Sequence, residues 1–212
     1  MTTSIEADLQ KSAISKQVTN SFQSSINVKH ASLSVLKNQI VKAATIIFKV
    51  LMADNKLFCC GNSDSYTTCQ NMAMNILKKS DTTGKTLKVI SLANDTVTDK
   101  DNSGLDSSVQ SFAQQIESSA RKGDILLAVS TTGDENSLKD AIKTAKKKLS
   151  QVILLTGGHS EILTTELDNS DIEIKIPSDN IARIQETHIL TVNCICDAIE
   201  WQLSQTKESE KI

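Results

Sequence analysis

The chain has 212 residues, 39% hydrophobic and 23% charged, with a formal net charge of −2, which suits one globular domain with a sizeable core. Seven glycines and one proline exclude collagen-like and Pro/Gly-rich disordered classes, and Arg121 and Arg183 are the only arginines among 23 basic residues. That composition argues against a large surface for direct nucleic-acid binding.

Leu9, Ile14, Val18 and Phe22, then Leu33, Leu36, Ile40, Ala43, Ile47 and Leu51, recur at three and four residues between Ile5 and Asp54. This spacing predicts helix, with a break near Asn27–Ser32 that would make a helical pair. Six lysines against Glu6 and Asp8 make residues 1–50 modestly basic. Short apolar runs follow at Lys56–Cys60, Leu87–Leu92, Asp124–Val129, Gln151–Thr156 and Ile172–Ile176. Helical stretches separate or follow them at Tyr66–Lys79, Ser107–Arg121, Asn136–Leu149 and Asn180–Ser204. Strands alternating with helices predict βαβ units and a parallel sheet. The unbroken run Ile125–Val129 fits a strand covered on both faces. The expected fold is a three-layer α/β/α domain with a five-stranded parallel sheet, preceded by the N-terminal pair. Its expected parts are dimerising N-terminal helices (1–54), the α/β domain (55–204) and a frayed polar tail (205–212).

No apolar run reaches the ~20 residues of a membrane span, and Met1–Glu6 lacks the pattern of a signal peptide. The five cysteines form no CxxC pair and read as reduced thiols of a cytoplasmic protein. No metal site or cofactor is expected from them.

Ligands of open parallel sheets bind beyond the carboxyl ends of the strands. Two loops there carry small hydroxyl residues and glycine, at Cys60-Gly61-Asn62-Ser63-Asp64-Ser65 and at Ser130-Thr131-Thr132-Gly133-Asp134-Glu135-Asn136. Such loops offer backbone N–H groups to a phosphate, but the same residue types are favoured N-caps, and spacing alone leaves both readings open.

Phe58-Cys59-Cys60-Gly61-Asn62 with Ser65, and Gly123–Gly133, resemble the loops of sugar isomerase (SIS) domains. Ile176-Pro177-Ser178, Ala182–Glu186, His188, Leu190–Cys194 and Cys196-Asp197 narrow the resemblance. They point to the phosphoheptose isomerase group, and within it to the DnaA initiator-associating (DiaA) branch. The resemblance implies a sugar-phosphate pocket at Asn62, Ser65, Ser130, Thr131, Thr132 and Gln185. Asp64 stands where a small residue is usual and Glu135 where a serine is usual, and a carboxylate repels phosphate.

The resembling isomerases use a glutamate and a histidine around a site that can hold zinc. Here Asn71, Asn75 and Asn193 occupy those positions beside Gln185. Amides neither titrate usefully nor ligate zinc well, so no catalytic residue is expected. The lone His188, one turn after Gln185, suits a packed histidine, and Glu186 a solvated or interface carboxylate. His30, His159 and the cysteines have no partner in sequence that would activate them.

The resemblance thus implies a regulator that gathers DnaA-type replication initiators as a homotetramer. The alternatives are phosphoheptose isomerase, acting on sedoheptulose 7-phosphate, and a sugar-phosphate-sensing protein. The partner surface implied by the DiaA branch includes Trp201, Leu203 and Ser204. Self-association is expected through Phe22, Leu36, Ile40 and Ile47 on one side and Leu190, Cys194 and Trp201 on the other.

Overall fold

The computed structural model describes residues 2–83, 85–93, 110–133, 135–148, 151–158 and 161–209. A helix α1 (Thr2–Met52) leads into β1 (Lys56–Gly61), α2 (Asp64–Thr83), β2 (Lys88–Ser91) and α3 (Phe112–Ser119). β3 (Ile125–Val129), α4 (Asn136–Lys148), β4 (Gln151–Thr156), β5 (Ile172–Lys175) and α5 (Ile181–Ser209) complete it. All strand pairs are parallel, and the order is β2-β1-β3-β4-β5. The expected α/β/α architecture is present.

Alternation along the strands divides the core in two. Leu57, Cys59, Ile125, Leu127, Ile153 and Leu155 face α1, α2 and α5. Their neighbours Phe58, Cys60, Leu126, Ala128, Val152 and Leu154 face α3 and α4. β3 and its flanks are fully buried, as expected of a central strand covered by helices on both faces.

Two expectations about the ends need correction. The helical pair is one uninterrupted helix, because residues 27–32 contain no glycine or proline and their polar side chains bond along the helix. Ser32 Oγ donates to the Val28 carbonyl at 2.7 Å, and Gln23 donates to Asn27 at 2.9 Å. Residues 205–209 of the expected frayed tail are helical, since α5 continues to Ser209, and the last three residues lie outside the described ones. The beginning of the helix expected from Ser107 lies outside the described residues, as do Leu149 and His159.

At a rise of about 1.5 Å per residue, α1 is roughly 76 Å long. Among the described side chains, those of its second half join the core, through Leu36, Ala43, Ala44, Ile47 and Leu51. Residues 10–20 are exposed throughout.

Candidate functional site

The carboxyl ends of β1 and β3 hold the two loops singled out in the sequence. Gly61 closes β1 where nothing larger fits: a Cβ there would stand 2.7 Å from Ser65 Cβ and 3.0 Å from the Val129 carbonyl. Ser63 adopts a left-handed φ of 44°, which turns the chain into α2. Ser65 is buried beneath this turn and its backbone N–H donates to the Asn62 carbonyl at 2.9 Å. Asn62 and Ser137 exchange hydrogen bonds at 3.0 and 3.3 Å, joining the first loop to the start of α4.

The second loop is organised by Ser130, which is fully buried. Its Oγ accepts from the Gly133 backbone N–H at 2.6 Å and donates to the Glu135 carboxylate. Gly133 has a φ of 77°, the left-handed region that glycine enters without cost. Thr131 and Thr132 line a pocket of about 180 Å³ together with Gly158, Asp179, Ile181 and Ile184. Gly158 admits Asp179: a Cβ there would lie 1.9 Å from Asp179 Oδ1.

Of the six expected pocket residues, Thr131 and Thr132 thus line this cavity. Ser130 is engaged within its loop, Asn62 is engaged by Ser137 of α4, Ser65 is buried, and Gln185 lies half-buried on α5. Gly158, Asp179, Ile181 and Ile184 were not anticipated. The glycine pair 157–158 after β4 and the capping-type stretch Ser178-Asp179-Asn180 before α5 were the available signals.

One helical turn separates Asn71 from Asn75 on α2, and Asn193 reaches them from α5. Asn71 Nδ2 donates to Asn193 Oδ1 at 3.2 Å, and Asn75 Nδ2 donates to Asn71 Oδ1 at 3.1 Å and to Asn193 Oδ1 at 3.3 Å. The three positions do converge, as a closed triangle of amides. Zinc does not fit it. Amide nitrogens have no lone pair to give, and the oxygens of Asn71 and Asn193 already accept from neighbouring amides.

His188 is buried, and its Nε2 lies 3.1 Å from the Thr156 carbonyl. Burial pushes its pKa down to about 4, against the pull of that hydrogen bond. The imidazole is neutral and packed. Burial pushes the Cys69 and Cys196 thiols up to about 12, and raises Cys59 and Cys60 as well. Thiols held protonated are poor nucleophiles.

Glu186 joins α5 to α1. It accepts from Ser25 at 2.6 Å, and Lys29 and Arg183 lie 3.3 and 3.1 Å away. The Ser25 bond, with these cations beside it, holds its carboxyl below the usual range. Lys29, Arg183 and Glu186 line a groove of about 340 Å³ with Ser21, Phe22 and Ser25.

At the end of α5, Trp201 is 64% exposed and Ser204 is exposed, whereas Leu203 is 4% exposed and belongs to the core. The expectation that Leu203 is an accessible contact residue is therefore corrected. It continues the apolar line Val192, Ile195, Cys196 and Ile199 that faces the sheet. Leu36 and Ile47 likewise face the chain's own core, and Ile40 packs against it. Phe22, Leu190, Cys194 and Trp201 are exposed.

A SIS-domain model matches residues 21–157. The chain is 35% identical to the DnaA initiator-associating protein DiaA of Photorhabdus laumondii, covering 84% of this chain and 91% of that protein. It is 33% identical to the phosphoheptose isomerase of Coxiella burnetii, covering 91% and 97% respectively. The structure of a phosphoheptose isomerase from Francisella tularensis superposes with a TM-score of 0.75 at 33% identity, covering 88% of this chain and 97% of that one. With its five-stranded parallel sheet and its serine- and threonine-bearing loops, the chain belongs to the SIS-domain family.

Proposed function

We propose that the chain is a non-catalytic, DiaA-like regulator of replication initiation that binds several DnaA-type initiator molecules as a homotetramer in the cytoplasm. The observation that carries this reading is the amide triangle of Asn71, Asn75 and Asn193. An isomerase must move a proton between carbons, which needs an acid and a base titrating near the working pH. Asparagine provides neither, and Gln185, two helical turns before Asn193 on α5, is likewise an amide. His188 is packed against Thr156 and is no substitute.

Binding can be carried by exposed apolar positions, and Phe22, Ile189, Leu190 and Trp201 are such positions on α1 and α5. The N-terminal helix (1–54) would supply one self-association surface and the exposed side of α5 another. A closed symmetric assembly presents several equal sites, which raises the effective concentration of bound partners. Trp201 and Ser204 form the accessible part of the proposed initiator surface, with Leu203 holding the helix against the core beneath them.

The isomerase reading is favoured by relatives of that name at similar identity and near-complete coverage. One paired experiment separates the two. Purified protein is tested for capture of purified DnaA and, in parallel, for conversion of sedoheptulose 7-phosphate. Capture without conversion is expected. Conversion without capture would replace this reading by the enzymatic one.

A further inference from the structure

The chain carries its own anion in the loop that follows β3. Ser130 Oγ donates to Glu135 while accepting from the Gly133 N–H, so its proton is committed to the carboxylate. The Glu135 carbonyl accepts from Lys139 N at 3.1 Å, which makes Glu135 the N-cap of α4. A negative side chain at this end of a 13-residue helix is stabilised by the free N–H groups and the helix dipole. A phosphate would seek these same groups.

We propose that Glu135 is a built-in occupant of this loop, an autoinhibitory carboxylate that makes the adjoining pocket reject phosphorylated ligands. Three features support it. The hydroxyl a phosphate oxygen would need is fully buried and already donating to Glu135. The same loop lines the pocket through Thr131 and Thr132, four and three residues before Glu135 in the chain, so the Glu135 charge belongs to the loop that an anion seated there would meet. Asp179 adds a second acidic side chain to the lining, and no cation is among the described residues that line the cavity. What the pocket then admits is a neutral polyol or sugar, or none. The proposal concerns ligand choice and does not depend on which macromolecule the chain binds.

The test is calorimetric titration of wild type, Glu135→Ser and Glu135→Gln with sedoheptulose 7-phosphate and with unphosphorylated sedoheptulose. Circular dichroism checks that each variant is folded. Replacing Glu135 by serine should tighten binding of the phosphate ester about tenfold or more, the order of one like charge removed at short range. Affinity for the neutral sugar should not change. Ser130→Ala in the Glu135→Ser background should remove the gain, because Ser130 is the donor set free.

Glu135→Gln keeps the size and removes the charge, so it should show a smaller gain, and it decides the matter if the serine variant does not fold. Two results overturn the proposal: folded variants that bind the ester no more tightly than wild type, or an equal gain for the neutral sugar.

Discussion

His188 Nε2 stands 3.1 Å from the carbonyl oxygen of Thr156, which ties the first third of α5 to the last residue of β4. The contact is buried, and His188 Nδ1 has no hydrogen-bond partner among the described residues. A second proton on this ring would be a charge in the core without a counter-ion.

Stability should therefore depend on pH through this residue. Burial sets its folded pKa at about 4, below the ~6.5 of an exposed imidazole. As the pH falls between these values, the unfolded chain takes up a proton that the folded chain refuses. Stability decreases through that window and the loss levels off below it, with a ceiling of about 3 kcal/mol. Urea denaturation at pH 7 and pH 4.5 should show a smaller acid-induced loss in His188→Gln than in wild type. Equal losses would mean that His188 does not carry the effect.

The amide triangle makes a second expectation. Sedoheptulose 7-phosphate should persist with purified protein, with or without zinc. Asn71→Ala and Asn193→Ala should each cost on the order of 1 kcal/mol of stability, the net worth of lost hydrogen bonds. Substrate turnover that disappears in either variant would refute the non-catalytic reading.

Self-association is the third. Phe22 is 69% exposed on α1 and Leu190 41% exposed on α5. Light scattering should report a tetramer at micromolar concentration. Phe22→Asp should lower the assembly state while the sheet stays folded, because Phe22 makes no part of the chain's own core. A 23.0 kDa monomer in the wild type would end this line of argument.

The end of α5 permits a fourth. Trp201→Ala should leave thermal stability nearly unchanged, since the ring is largely exposed, yet weaken initiator binding by ~2 kcal/mol if Trp201 is an interface anchor. Leu203→Ala should do the opposite, destabilising the fold by about 2–4 kcal/mol through a core cavity. Undiminished initiator binding by a tetrameric Trp201→Ala protein places the partner surface elsewhere.

These outcomes bear on what a sequence discloses. The five strands were legible because their apolar runs, such as Ile125–Val129, are short and continuous, and turn-forming loops bound them. The pairing of Asn71 with Asn75 was legible from their four-residue spacing, whereas Asn193 was placed opposite them only through the family resemblance. The missing break in α1 was not legible. Polar residues at 27–32 favour loops when considered singly, and only the i to i+4 bonds they make in place tip them to helix. Trp201 and Leu203 differ by two positions, so they point some 200° apart on a helix. The line Ile195, Ile199 and Leu203 carried the information that Leu203 faces inward. The Ser130–Glu135 bond had no such signal, because it depends on the path of the loop between them.

In a lone chain residues 10–20 of α1 are exposed throughout, so that stretch is held by little except its own hydrogen bonds. Helices without tertiary support are marginal in water, even when long. Ile14, Val18, Phe22 and Ile26 recur every four residues along this stretch, and all four are exposed. A second surface laid on that line would bury apolar area and stiffen the backbone together. If a second copy of the chain covers that line, diluting the protein is expected to shorten the helix, with far-UV ellipticity following the association curve.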